Sequence, residues 1–233
     1  MKKLLITTVL LLVGIAANSQ ILISLLLGDK LNSDKLEFGI DGGLNQTSIK
    51  GLDQANYVGR FNLGFYFDFH LKNPAWMVHT GVIVKSTLGA KNIAVYDLGN
   101  ADLNAAFAGG SVDRRLNYFN VPILMKHQFQ NHLYVEGGPM LGLMNKSVDV
   151  FTRTVVDEDD LNYMLKIRDR YHPLDAGLMG GLGYRLLGGN GMNLGVRYYY
   201  GLVDITIDDS TPNQYNRSLY LAVGIPIGKA PKK

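Results

Sequence analysis

The sequence predicts an all-β protein: an eight-stranded antiparallel up-and-down transmembrane β-barrel with long extracellular loops and short periplasmic turns. Three observations lead there. Apolar residues recur with a period of two along most of the chain, the signature of strands rather than helices. The connections between these segments alternate long and short in strict succession. The polar face of each segment carries the charges and the glycines. A soluble eight-stranded barrel would place apolar residues inside and charges outside.

The alternation is clearest in segment 58–71. There Phe61, Leu63, Phe65, Phe67, Phe69 and Leu71 point one way, and Arg60, Asn62, Gly64, Tyr66, Asp68 and His70 the other. Ahead of it, segment 35–46 sets Leu36, Phe38, Ile40 and Leu44 against Glu37, Gly39, Asp41, Gly43 and Asn45. Segment 76–85 sets Trp76, Val78, Thr80, Val82 and Val84 against Met77, His79, Gly81 and Lys85. The same parity orders 116–129, with Lys126 on the polar face, and 133–143, with Glu136 there. Segments 174–186, 192–202 and 218–227 complete the eight, with Asp175, Arg185 and Arg197 on the polar side. Short turns are expected at 72–75, 130–132 and 187–191, and long connections at 47–57, 86–115, 144–173 and 203–217. With an even strand number, both barrel ends then fall on the periplasmic side.

Composition agrees. Charged residues make up 18% of 233, with 27 glycines, 13 tyrosines and no cysteine. A soluble domain averages about 25% charged. The absence of Cys excludes disulfides, thiolate metal sites and a Cys nucleophile. The formal charge of +3 falls to +1 without Lys2 and Lys3, and to −2 without Lys229, Lys232 and Lys233 as well, so nothing points to nucleic acid. Residues 1–19 read as a signal peptide: two lysines, an apolar stretch and the small residues Ala17-Asn18-Ser19. Residues 20–34 are then a short periplasmic segment in which 21–31 can form an amphipathic helix. Residues 35–227 are the barrel and 228–233 a basic tail.

Four stretches carry a resemblance. LNYFNVPILMK at 116–126, EGGPMLG at 136–142, DAGL followed by GGLGY between 175 and 184, and RYYYGL at 197–202 resemble the strand motifs of the Bacteroidetes outer-membrane β-barrel family, PorT-like. The resemblance covers roughly 36–227. It implies an eight-stranded barrel in the outer membrane of a Gram-negative, Bacteroidetes-like bacterium, contacting outer-membrane lipid. It implies no single activity: a few members assist type IX protein secretion, and most have no assigned role.

An eight-stranded lumen is only wide enough for side chains to fill. The polar faces supply it with Glu37, Asp41, Asp68, Glu136 and Asp175 against Arg60, Lys85, Lys126, Arg185 and Arg197, a set balanced for an internally paired plug. Turn geometry places Lys126 opposite Glu136 and Asp68 opposite His79. His70, His79 and Asp68 could form a base and its orienting acid, but no Ser or Thr nucleophile shares their face. A structural hydrogen-bonded pair is the better reading. No metal-ligand spacing occurs, and the acidic run at 157–160 lacks the Gly and spaced oxygens of a calcium loop. The sequence therefore predicts no catalytic, cofactor or metal site. The expected role of this monomer is structural or in surface recognition through the long loops, with an accessory part in type IX secretion as the alternative and a lipid-modifying enzyme as the remoter one.

Overall fold

The computed structural model describes residues 33, 35–53, 55–155, 160–187, 191–208 and 212–227. The signal peptide, the 21–31 helix, most of the 157–160 run and the basic tail lie outside the described residues.

Nine strands are present among the described residues: β1 Leu36–Lys50, β2 Val58–His70, β3 Trp76–Ile93, β4 Ser111–Gln128, β5 Leu133–Arg153, β6 Leu161–Lys166, β7 Leu174–Arg185, β8 Asn193–Gly201 and β9 Tyr215–Pro226. Each pairs antiparallel with its neighbours. β1 bonds both β2 and β9, and β4 bonds β5, so eight strands close into an up-and-down ring with no free edge. β6 pairs with the outer end of β5 and stands outside the ring order.

The eight expected strands form the ring, and the ninth, β6, lies within the long connection 144–173. β3 runs on to Ile93, β4 begins at Ser111 and β5 reaches Arg153, all inside stretches expected as loop. β5 has 21 residues, about twice the 9–11 that cross a bilayer. The surplus is local alternation carried past the membrane: Ser147, Asp149 and Phe151 are buried inward while Val148 and Val150 take the other side. Within the long connection after β3 a helix forms, α1 Ala101–Phe107, because the Asn100 side chain accepts from the backbone N–H groups of Asp102 and Leu103.

Around the ring the two faces separate as the parity requires. Phe61, Leu63, Phe65, Phe69, Val82, Phe119, Leu141, Leu178 and Leu221 are exposed outward. Trp76 and Phe129 sit beside the short turns, where an aromatic girdle belongs. Tyr66, Tyr118, Tyr134, Tyr199, Lys126, Met77 and Leu124 are among the largest fully buried side chains. Glycines make room for these rings. A Cβ on Gly39 would collide with Tyr66, and one on Gly183 or Gly195 would collide with Tyr134.

Phe65 is 44% exposed near the middle of β2. Phe65→Arg is expected to lower barrel stability by about 2–4 kcal/mol, read as the midpoint of urea unfolding in vesicles. Asn62→Gln, on the inner face, should be tolerated. Equal effects would mean that the outward belt does not meet acyl chains.

Candidate functional site

The lumen is layered, starting from the end with the short turns. Nearest that end, Glu37 of β1 accepts from Tyr66 at 2.9 Å and pairs with Arg185 of β7 at 2.5 Å. Next lies a continuous ionic chain. Lys126 Nζ is 2.9 Å from Asp68 Oδ2 and 4.5 Å from the centre of the Tyr134 ring. His79 Nδ1 meets the other Asp68 oxygen at 2.6 Å, while Arg197 Nη2 lies 3.2 Å from His79 Nε2. A guanidinium only donates, so Nε2 accepts and Nδ1–H donates to Asp68. Arg197 also bonds Asp41, and its Nε meets Glu136 Oε1 at 2.5 Å. Six side chains from six strands are thereby joined, all nearly inaccessible to solvent.

Further along, amides and hydroxyls replace the ion pairs around Asp175. Asn120 donates to Ser86 at 2.7 Å, Asn45 to Ser218 at 3.3 Å, and Asn216 to Asp175 at 2.8 Å. Beyond the amides, at the outer end, Arg114 grips Asp149 with two bonds of 2.8 and 2.6 Å, and Tyr96 donates to the same carboxylate at 2.8 Å. Here the long connections enclose a vestibule of about 530 Å³, lined by Tyr96, Arg114, Arg170, Tyr171, Thr206 and Gln214. Burial pushes the Tyr171 phenol up to about 12, against the pull of the neighbouring Arg114. Tyr171 therefore serves the vestibule as a neutral hydroxyl. Tyr96, Phe107 and Tyr163 pack around the fully buried Phe151, giving these connections an aromatic core of their own.

Of the residues expected inside, Glu37, Asp41, Asp68, His79, Lys126, Glu136, Arg185 and Arg197 are gathered in the two lower clusters. Four expectations are corrected. Lys85 faces outward and is exposed, because a bulge between Ile83 and Ser86 reverses the parity of β3. Arg60 lies beyond the last β2–β3 pair and bonds Asp113 of β4. Lys126 does stand opposite Glu136 in register, yet its ammonium goes to Asp68 while Glu136 is held by Arg197. Asp175 is inward, but its partner is the Asn216 amide rather than a cation. The sequence reading missed Arg114, Asp149 and Tyr96. The alternation of 147–151 was the available signal for Asp149.

The Asp68–His79 pair is bonded in turn to Lys126 and Arg197, and the Tyr66 ring stacks on His79 at 5.4 Å. Among the described residues no group of three or more His, Cys, Asp or Glu could hold a metal.

Comparison with known proteins adds three findings. No curated protein sequence matches the chain. Among solved structures, the attachment invasion locus protein Ail of Yersinia pestis is similar at 13% identity and a TM-score of 0.41, over 82% of this chain and 98% of that one. Ail in complex with the heparin analogue sucrose octasulfate gives 11% and 0.39, over 82% and 97%. Neisserial surface protein A gives 13% and 0.39, over 82% and 96%. The sequence profile described as the outer membrane protein beta-barrel domain matches residues 28–206, most of the chain. An outer-membrane location goes with that profile, and the closed ring, the outward apolar belt and the polar lumen are what it requires. The chain belongs to the outer membrane protein beta-barrel domain family.

Proposed function

We propose that this protein is a non-enzymatic, monomeric surface-recognition barrel: a closed, internally paired lumen anchors it in the outer membrane and its long connections meet a partner outside. The observation that carries this reading is the build of those connections. They hold extended strands, a capped helix and an aromatic core around a vestibule, which exceeds what closing a barrel needs. The paired ions in the lumen support a plug over an ion path, because buried charges persist only with partners. The four motif stretches favour the PorT-like group of a Bacteroidetes-type bacterium, and with it an accessory part in type IX secretion as the second reading.

Photo-crosslinkers at two exposed positions separate the two. Asp102 lies on α1 at the long-loop end and Lys72 in a short turn at the other. Surface recognition predicts capture from Asp102 on intact cells. Capture from Lys72 alone, of secretion components, would replace it with the second reading. In planar bilayers the purified barrel is expected to pass no steady current, and steady channels would overturn the plug.

A further inference from the structure

Two bulges at the same level of the barrel turn outward lysines that plain alternation would send into the lumen. On β3 the pairing with β4 slips between Ile83 and Ser86. Val84 and Lys85 are therefore both exposed, and Ser86 resumes the inner side. On β5 the pairing with β4 slips at Asn117/Tyr118, so Asn145 and Lys146 are both exposed before Ser147 turns in. A bulge re-aims a side chain at the expense of regular pairing. Here two of them, with β4 between, re-aim cations to one place.

Two arginines join them. Arg60 crosses β3 to Asp113 on β4, and Arg115 bonds the same carboxylate at 2.8 Å. Arg60, Lys85, Arg115 and Lys146 line one cleft of about 330 Å³, with Thr87 and Asn117 between them. Asp113 is the carboxylate bonded there, shared by both arginines. Among the described residues neither lysine forms an ion pair. The cleft is continuous with the outward apolar belt: the Lys85 ammonium lies 5.4 Å from the centre of the Phe61 ring, and Val84, Phe119 and Leu143 are exposed on the same strands. The opposite wall differs: Arg217 of β9 is buried, stacked 3.6 Å from Tyr200 with its Nη1 on backbone carbonyls.

We propose that this cleft binds the phosphate of an outer-leaflet lipid headgroup, with the acyl chains lying along Phe61, Val84 and Phe119 below it. The guanidinium forks offer paired donors to phosphate oxygens and the lysines add point charges. The adjoining apolar belt selects a lipid over a free anion, because only an amphiphile satisfies both surfaces at once. The proposal rests on the long connections lying outside the cell, which protease treatment of whole cells tests separately.

The test is native mass spectrometry of the folded barrel in a neutral detergent, titrated with diphosphorylated lipid A, with its fully dephosphorylated form, and with inorganic phosphate. Diphosphorylated lipid A should be retained at least about tenfold more tightly than the dephosphorylated form. K85Q/K146Q should lose at least about tenfold of that affinity. K35Q/K72Q, which removes two exposed lysines at the other rim, should lose none. Equal retention of the two lipids, or unchanged retention by K85Q/K146Q, overturns the proposal. So does inorganic phosphate that displaces the lipid at equal concentration, which would mark a site for soluble anions.

Discussion

Arg197→Met is expected to lower the stability of the barrel by about 3–5 kcal/mol, the cost of leaving buried charges without their counter-ion. Arg197 is 6% exposed and holds Asp41 and Glu136 together while donating to His79. Met roughly fills the volume, so packing loss adds little. The cost comes from two carboxylates that keep their desolvation and lose their cation. Gly181 explains why an arginine from β8 can reach Glu136 on β5. Glu136, Gly181 and Arg197 share one register row, and a Cβ on Gly181 would press on Arg197 Cγ at 2.8 Å. Urea unfolding in vesicles, with the heat-modifiable gel shift as the fold assay, gives the measurement. Adding D41N and E136Q to R197M should restore much of the loss, since neutral amides carry no ionic desolvation. Wild-type stability of R197M would mean that water already reaches these carboxylates, and that the lumen is open.

Parity alone made the fold legible. Every strand of the ring, the three short turns and the inward placement of Glu37, Asp41, Asp68, Glu136, Asp175 and Arg197 follow from counting by two. Counting by two fails wherever the ladder slips, and it slips at Val84-Lys85 and Asn145-Lys146. No local residue announces either bulge; each is set by pairing with β4, a long-range property. The loop extensions were hidden for another reason. A search for strands of membrane length stops at about 10 residues, whereas β4 and β5 continue for 18 and 21. Arg114 and Asp149 therefore fell in presumed loops, although they face each other across a paired register. Ion-pair partners were the least legible feature. Neighbours in register were the natural choice, yet a narrow lumen lets long side chains bypass them.

Lys126 shows what decides between a register neighbour and a partner across the lumen. Its neighbour on β5 is Glu136, but both Glu136 oxygens are taken up by Arg197, at 2.5 and 3.5 Å. A planar fork matches a carboxylate better than a point charge does. Asp68, two strands away, has one oxygen on His79 and the other open to an ammonium, and Lys126 fills it at 2.9 Å. K126M should therefore cost about 3–5 kcal/mol by stranding the Asp68 charge, and D68N a similar amount by stranding the ammonium. Asn keeps an acceptor for His79, so the substitution removes the charge without removing that bond. In K126M/D68N neither charge remains, and the double variant should recover most of the loss, so that the coupling energy exceeds the cost of either single variant. K126M/E136Q should be close to additive, because E136Q strands Arg197 rather than Lys126. Stronger coupling to Glu136 than to Asp68 would restore the register-neighbour pairing and break the ionic chain at its first link. Additive behaviour in both pairs, together with steady current across bilayers, would replace the plug with a hydrated pore.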